Sequence, residues 1–204
     1  MKTFKTRFFV LSLLFLIING CVVKSLFPFY TSNSVVFEKK FIGNWIDTEY
    51  AKWNIQPFQE VILKENKKTS PSELDDEQFA MYNKFKKGYV VYFEKDSTKS
   101  SFLAMAFKIN NQLFLDVTPI EDSEFDGLKN DLYKLHLIGT HTLAKFDLLN
   151  DNEIDIKWFS SDKLEELLKE NRIKIKHEKV GFWDTIVLTA SSEELQKFIK
   201  KYMN

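Results

Sequence analysis

One cysteine, four prolines and six glycines in 204 residues exclude several architectures before any pattern is read. A single thiol cannot build a disulfide framework or a cysteine-based zinc site. So little Gly and Pro excludes collagen-like repeats and Gly/Pro-rich disorder. A hydrophobic fraction of 44% with 20 phenylalanines points instead to a packed core. Neither sign of charge is in excess, since 29 basic residues face 29 acidic ones, and this excludes the basic surface that nucleic-acid binding requires. No apolar run reaches the roughly 20 residues of a membrane-spanning helix. A Gly-rich phosphate loop, a G-x-S-x-G elbow, H-E-x-x-H and C-x-x-C are all missing. The sequence therefore reads as a non-enzyme, and no cofactor is expected.

What is present starts at the N-terminus. Lys2, Lys5 and Arg7 precede an apolar run from Phe8 to Ile18, interrupted only by Ser12. That order and length fit a secretory signal. Gly20 stands directly before Cys21, the lone cysteine. Ile18-Asn19-Gly20-Cys21 resembles the lipobox of bacterial lipoproteins, although Ile18 replaces the commoner Leu and Asn19 the usual Ala or Ser. The resemblance implies cleavage between Gly20 and Cys21 and acylation of the thiol. Acylation also removes the liability of an unpaired thiol in an oxidising compartment. Each buried CH₂ contributes about 0.8 kcal/mol, so several acyl chains anchor a protein without crossing the bilayer. Val22-Val23-Lys24-Ser25 carries no acidic residue. By resemblance to lipoprotein sorting signals, this implies the outer membrane, facing the periplasm. Removing residues 1–20 takes away three basic residues and no acidic one, leaving 26 against 29 and a net charge of −3.

The expected organisation is a signal over 1–20, a lipidated N-terminus with a short apolar tether over 21–40, and a single β-rich domain over 41–204. Ser25-Leu26-Phe27-Pro28-Phe29-Tyr30 is too apolar to stay in water and is expected on the domain or at the headgroups. Phe41 to Asp47 reads as the first strand and Phe58 to Glu65 as the second. Ser70-Pro71-Ser72-Glu73 carries the signals of a helix start, with Leu74, Met81, Tyr82 and Phe85 behind it at helical spacing. This inserted helix is read as lying on the domain, with a lid as the alternative.

Residues 88–118 carry the clearest strand pattern. Tyr89, Val91 and Phe93, then Leu103, Met105, Phe107 and Ile109, then Leu113, Leu115 and Val117 recur at period two. Asn110-Asn111 is the two-residue turn, since Asn tolerates positive φ. Val90, Tyr92, Phe102, Ala104, Ala106 and Phe114 make the alternate positions apolar too. Such a sheet is covered on both sides or closed around an interior. An acidic connection over Glu121 to Asp131 follows, then a helical turn at Leu128 to Tyr133 and strands from Leu135 to Leu149 and Ile154 to Trp158. A helix capped by Asp162 and Glu165 comes next, then a strand from Ile173 to His177, a turn at Gly181 to Asp184, and a strand from Thr185 to Ala190. Ser191 and Glu194 form a capping box, and Leu195, Phe198, Ile199, Tyr202 and Met203 give the last helix one apolar stripe. The fold class is α+β, predominantly antiparallel β. It is a meander sheet or a lipocalin-like, partly closed barrel, with the inserted helix and a C-terminal amphipathic helix packed on it.

Candidate ligand or partner contacts are Trp45, His136 and His141. Gly43-x-Trp45 resembles the lipocalin start. His136 and His141 lie five residues apart, on opposite faces of a strand, and without a third ligand they make no zinc site; no metal is expected. Asp116, Asp147, Glu153 and Asp155 are carboxylates with no partner in the sequence. Taken in order, Cys21, Ser25 to Thr31, Phe41 to Trp45, Leu113 to Asp116, Leu135 to Ile138, His141-Thr142 and Leu188 to Gln196 resemble a family of uncharacterised bacterial lipoproteins. That likeness implies a lipid-anchored envelope protein and supplies no catalytic residue. Three functions stay open: a binding or assembly module with an envelope protein partner, a carrier of a small hydrophobic ligand, and a hydrolase using a His/Asp site.

Overall fold

The computed structural model describes residues 22–120 and 139–203. The signal, Cys21, the acidic connection, the turn at Leu128 to Tyr133 and His136 lie outside the described residues. In chain order the strands are β1 (Lys24–Ser25), β2 (Gly43–Asp47), β3 (Lys52–Pro57), β4 (Tyr89–Lys95) and β5 (Thr98–Ile109). They continue with β6 (Gln112–Pro119), β7 (His141–Leu148), β8 (Glu153–Trp158), β9 (His177–Val180) and β10 (Thr185–Leu188). The helices are α1 (Phe58–Glu65), α2 (Asp76–Phe85), α3 (Ser161–Lys169) and α4 (Ser192–Tyr202).

Strands β2 to β8 close into a seven-stranded mixed barrel in the order β2-β3-β4-β5-β6-β7-β8. Each neighbouring pair is antiparallel except β8 and β2, which run parallel through Ile46↔Glu153 and Asp47↔Ile154. The fold is a lipocalin-like α+β barrel, predominantly antiparallel. On the far edge of β7, β1 pairs antiparallel with it and parallel with β10, which extends the sheet to β9.

The meander over β4, β5 and β6 forms as its alternation predicts. Asn110 and Asn111 sit at φ 49° and 64°, and the turn pairs Ile109 with Gln112. That register puts alternate faces of the wall in two different cores. Tyr89, Val91, Ala104, Ala106, Leu115 and Val117 face inward and meet Phe41, Trp45, Trp53, Ile55, Phe146 and Ile154. Phe107, Ile109 and Phe114 face outward, into a second core built from Val23, Phe29, Leu143, Leu164, Leu188, Leu195 and Ile199. A third cluster packs Phe58, Val61 and Ile62 of α1 on Val90, with Leu103, Tyr82 and Phe85 beside them. Seven strands enclose little space, and aromatic rings opposite alanines line it.

The N-terminal segment belongs to this packing. Val23, Ser25 and Phe29 are fully buried, while Leu26 and Phe27 remain largely exposed. Further on, Val36 donates its N–H to the Ala106 carbonyl at 2.9 Å. A short helical turn over Lys39–Phe41 then carries Phe41 onto Tyr89 and Phe146 inside the barrel.

Several local expectations are corrected. Residues 58–65 form α1 and not a strand, because Phe58, Val61 and Ile62 recur at i, i+3 and i+4 on the buried side. The second strand is β3, ahead of it. Ser70 makes no cap bond; Glu73 instead accepts from the Thr69 N–H at 3.1 Å and its hydroxyl at 2.9 Å. The inserted helix starts at Asp75, whose capping box is completed by Gln78. Ser160, not Asp162, caps α3. Of Ile173 to His177 only His177 joins a strand. The Ser191–Glu194 box forms as expected.

If the interior is filled, enlarging it must hurt. Ala106→Leu and Ala104→Leu are each expected to destabilise by about 1–3 kcal/mol, measured as a fall in the urea midpoint at unchanged m-value.

Candidate functional site

Asp116 is the one buried carboxylate among the described residues, 1% exposed on the outer face of β6. Its Oδ2 accepts the Phe29 N–H at 2.7 Å, and its Oδ1 lies 2.7 Å from His141 Nδ1. Thr118 Oγ1 lies 2.9 Å from the same nitrogen. Burial pushes the Asp116 carboxyl above its ordinary value, opposed by the His141 and Phe29 contacts. A carboxylate orienting a histidine is half of a hydrolase triad, but in a triad the nucleophile sits on the other imidazole nitrogen. Here hydroxyl and carboxylate share Nδ1. Ser25, opposite His141 in the β1–β7 register, spends its hydroxyl on the Phe27 carbonyl at 2.8 Å and the Phe27 N–H at 3.2 Å. The cluster clamps the N-terminal segment onto the seam between β6 and β7.

The other sequence candidates separate. Trp45 points into the barrel, 8% exposed, with Nε1 donating to the Phe41 carbonyl at 2.8 Å. It lies beside Gly43, whose φ of +144° is a backbone conformation that residues other than glycine rarely adopt, although a Cβ there would meet the indole at ordinary contact distance. Asp147 and Asp155 pair with Lys145 at 3.2 Å and Lys157 at 2.7 Å on the surface. Among the described residues no three His, Cys, Asp or Glu side chains cluster as a metal site.

Two concave features reach solvent among the described residues: one of about 870 Å³ against β2 to β5, with Trp45, Trp53 and Phe93 in its lining, and one outside the barrel. A cleft of about 1020 Å³ opens between the end of α3, the connection to β9, and α4. Leu168, Ile173, Ile175, Ile186, Ala190 and Phe198 make its floor, of which Leu168 and Ile175 are partly exposed and the others belong to the buried outer core. Seven cations line it, Lys169, Arg172, Lys174, Lys176, Lys179, Lys197 and Lys201, against the two carboxylates of Glu165 and Glu194. Both carboxylates are taken, by Lys169 at 3.1 Å and Lys176 at 2.9 Å. Arg172 pairs in turn with Glu170 at 3.2 Å, so the excess of positive charge around the apolar base comes from Lys174, Lys179, Lys197 and Lys201, in a chain with no net positive charge overall. No family model matches the chain, and searches of curated proteins and of solved structures find no match.

Sequence reasoning missed this site because its cations are spread over α3, a loop, β9 and α4. The sequence of α4 does place Lys197 and Lys201, which line the cleft, beside its apolar stripe.

Two outcomes test the clamp. Asp116→Ala leaves the Phe29 N–H without its acceptor and is expected to cost about 1–3 kcal/mol, whereas Asp116→Asn keeps an acceptor in place and should cost less in the same denaturation assay. Burial pushes Tyr30 and Tyr89 up to about 12 from an ordinary 10, the negative Asp116 adding to the effect at Tyr30. The unfolded chain then loses these protons first, so stability should fall as pH rises from about 10 to 12. Tyr30→Phe and Tyr89→Phe should each flatten that fall in a pH series of melting curves.

Proposed function

We propose that this protein is a lipid-anchored, non-enzymatic binding module of the bacterial envelope, held to the membrane through Cys21, whose ligand sits in the basic cleft outside the barrel. The cleft carries the reading. Its apolar floor and excess of cations suit an anionic amphiphile, an acyl or similar apolar group ending in a phosphate or carboxylate. A barrel of this kind is compatible with a lipocalin-like binding module, and the aromatic lining of its interior favours an outer site over an enclosed one. The lipobox-like Ile18 to Cys21 supports attachment through acyl chains, and the absence of an acidic residue after Cys21 supports the periplasmic face of the outer membrane. The shared Nδ1 of His141 supports a structural role for the Asp116 pair over a hydrolytic one.

Titration of the purified protein with dodecyl phosphate tests the ligand class. Lys174→Glu with Lys197→Glu should weaken binding about tenfold or more, at about 1 kcal/mol per cation at the surface; equal affinity for both proteins would refute the cleft. Metabolic palmitate labelling tests the anchor separately, with label expected on the wild type and lost in Cys21→Ala.

A further inference from the structure

The turn between β9 and β10 exposes more aromatic surface than any other part of the described chain. Phe182 and Trp183 are 89% and 84% exposed, and they pack only on each other, edge to face with ring centroids 4.9 Å apart. Val180 beside them is 44% exposed. Gly181 at φ +74° and Asp184 at φ 51° shape the turn and hold the two rings at its tip. Water is a poor environment for such a pair, and a bilayer interface, where Trp is enriched, is a good one.

The sheet says which surface the tip meets. β1 pairs parallel with β10 through Lys24↔Val187 and Ser25↔Leu188. Followed back toward its start, the chain from Lys24 runs in the same direction as the chain from Val187 back toward the turn. Val22, one peptide bond after Cys21, is therefore level with Thr185 in that register. At about 3.3 Å per residue the tip projects roughly 7 Å further in that direction. That is the depth at which interfacial side chains sit, about 5–10 Å into the headgroup and acyl boundary.

We infer that the Phe182–Trp183 turn inserts into the same bilayer that holds the N-terminal acyl chains, as a second, non-covalent contact that fixes the orientation of the domain. This rests on the lipid-anchored reading above. One covalent anchor leaves a domain free to swivel, and a rigid aromatic tip beside it removes that freedom. It would also set the basic cleft at a fixed height above the headgroups, since Lys179 and Ile186 belong both to this hairpin and to the cleft lining. Lys179 on the hairpin is balanced by Glu178 and Asp184, so insertion should depend on aromatic burial and little on lipid charge.

The test uses the full chain, expressed in bacteria, purified in detergent and reconstituted into phosphatidylcholine vesicles with and without brominated acyl chains. Flotation reads the anchor, and quenching of tryptophan emission reads the tip. Trp45 and Trp53 are buried, and Trp183→Phe removes the signal of interest while leaving Trp158 as a control. Brominated lipid is expected to remove at least half of the emission difference between wild type and Trp183→Phe, at low and high salt alike. Floating vesicles in which that difference is unquenched would overturn the insertion and leave the anchor standing, and a protein partner would then become the occupant of the tip. Quenching that persists in a Cys21→Ala chain that still floats would support the insertion and count against the anchor.

Discussion

The barrel wall at β5 and β6 is apolar on both faces, and the placement of nearly every other element follows from the need to keep both faces out of water. Ala104 and Ala106 look inward while Met105 and Phe107, on the same strand, look outward. Closing the ring buries one face. The other needs a cover, which the N-terminal segment, β1, β10, α3 and α4 supply on one side and α1 on the other. Small residues inside and large ones outside divide the work: the alanines make room for Trp45, Trp53, Phe41 and Tyr89 within a narrow ring, and the outer phenylalanines give the cover something to grip.

Where a wider barrel would keep a hollow, this one is lined by buried aromatic rings, and the cleft on which the proposed function rests is a gap in the outer cover. The cleft lies over the top of the second core, where Leu168 and Ile175 are partly exposed between lysine stems and Ile173, Ile186 and Phe198 are buried beneath them. Lysine is suited to such a rim, because its methylenes lie along apolar surface while the ammonium stays in water. Asp116 has a parallel role on the opposite side of that core. A carboxylate there is costly to bury, and it is retained at the point where the Phe29 N–H and His141 both need an acceptor.

Local chemistry made some of this legible in advance. Asn110-Asn111 declared a two-residue turn because few other residues accept two successive positive φ values, and Ser191 with Glu194 declared a helix start because the box closes within four residues. The misreadings came where two local codes compete. Phe58 to Glu65 contains Val-Ile-Leu, which fits a strand by composition, yet its burial has period 3.6. Ser70-Pro71 has the letters of a helix cap, but Pro71 begins a single tight turn, and Asp75, four residues after it, has the partner it needs in Gln78. The faces of β5 could not be assigned by alternation alone, since a set of residues at period two looks the same on either side of a wall; the turn at 110–111 fixed which residues of β6 share each face, and closure of the barrel decided which face points inward.

The sequence by itself determined the class of fold and the positions of most strands and of the last helix, and it supplied the lipobox-like pattern on which the proposed anchor rests. These are properties of contiguous residues, set by periodicity and by side chains that reach their own backbone. Only the tertiary structure decided that the sheet closes, that buried aromatic rings line its interior, that Asp116 meets His141 across 25 positions, that scattered lysines ring one cleft, and that β1 lies parallel to β10. Each depends on which distant segments are brought side by side, and that choice is made by the summed burial of the whole chain, which no local window contains.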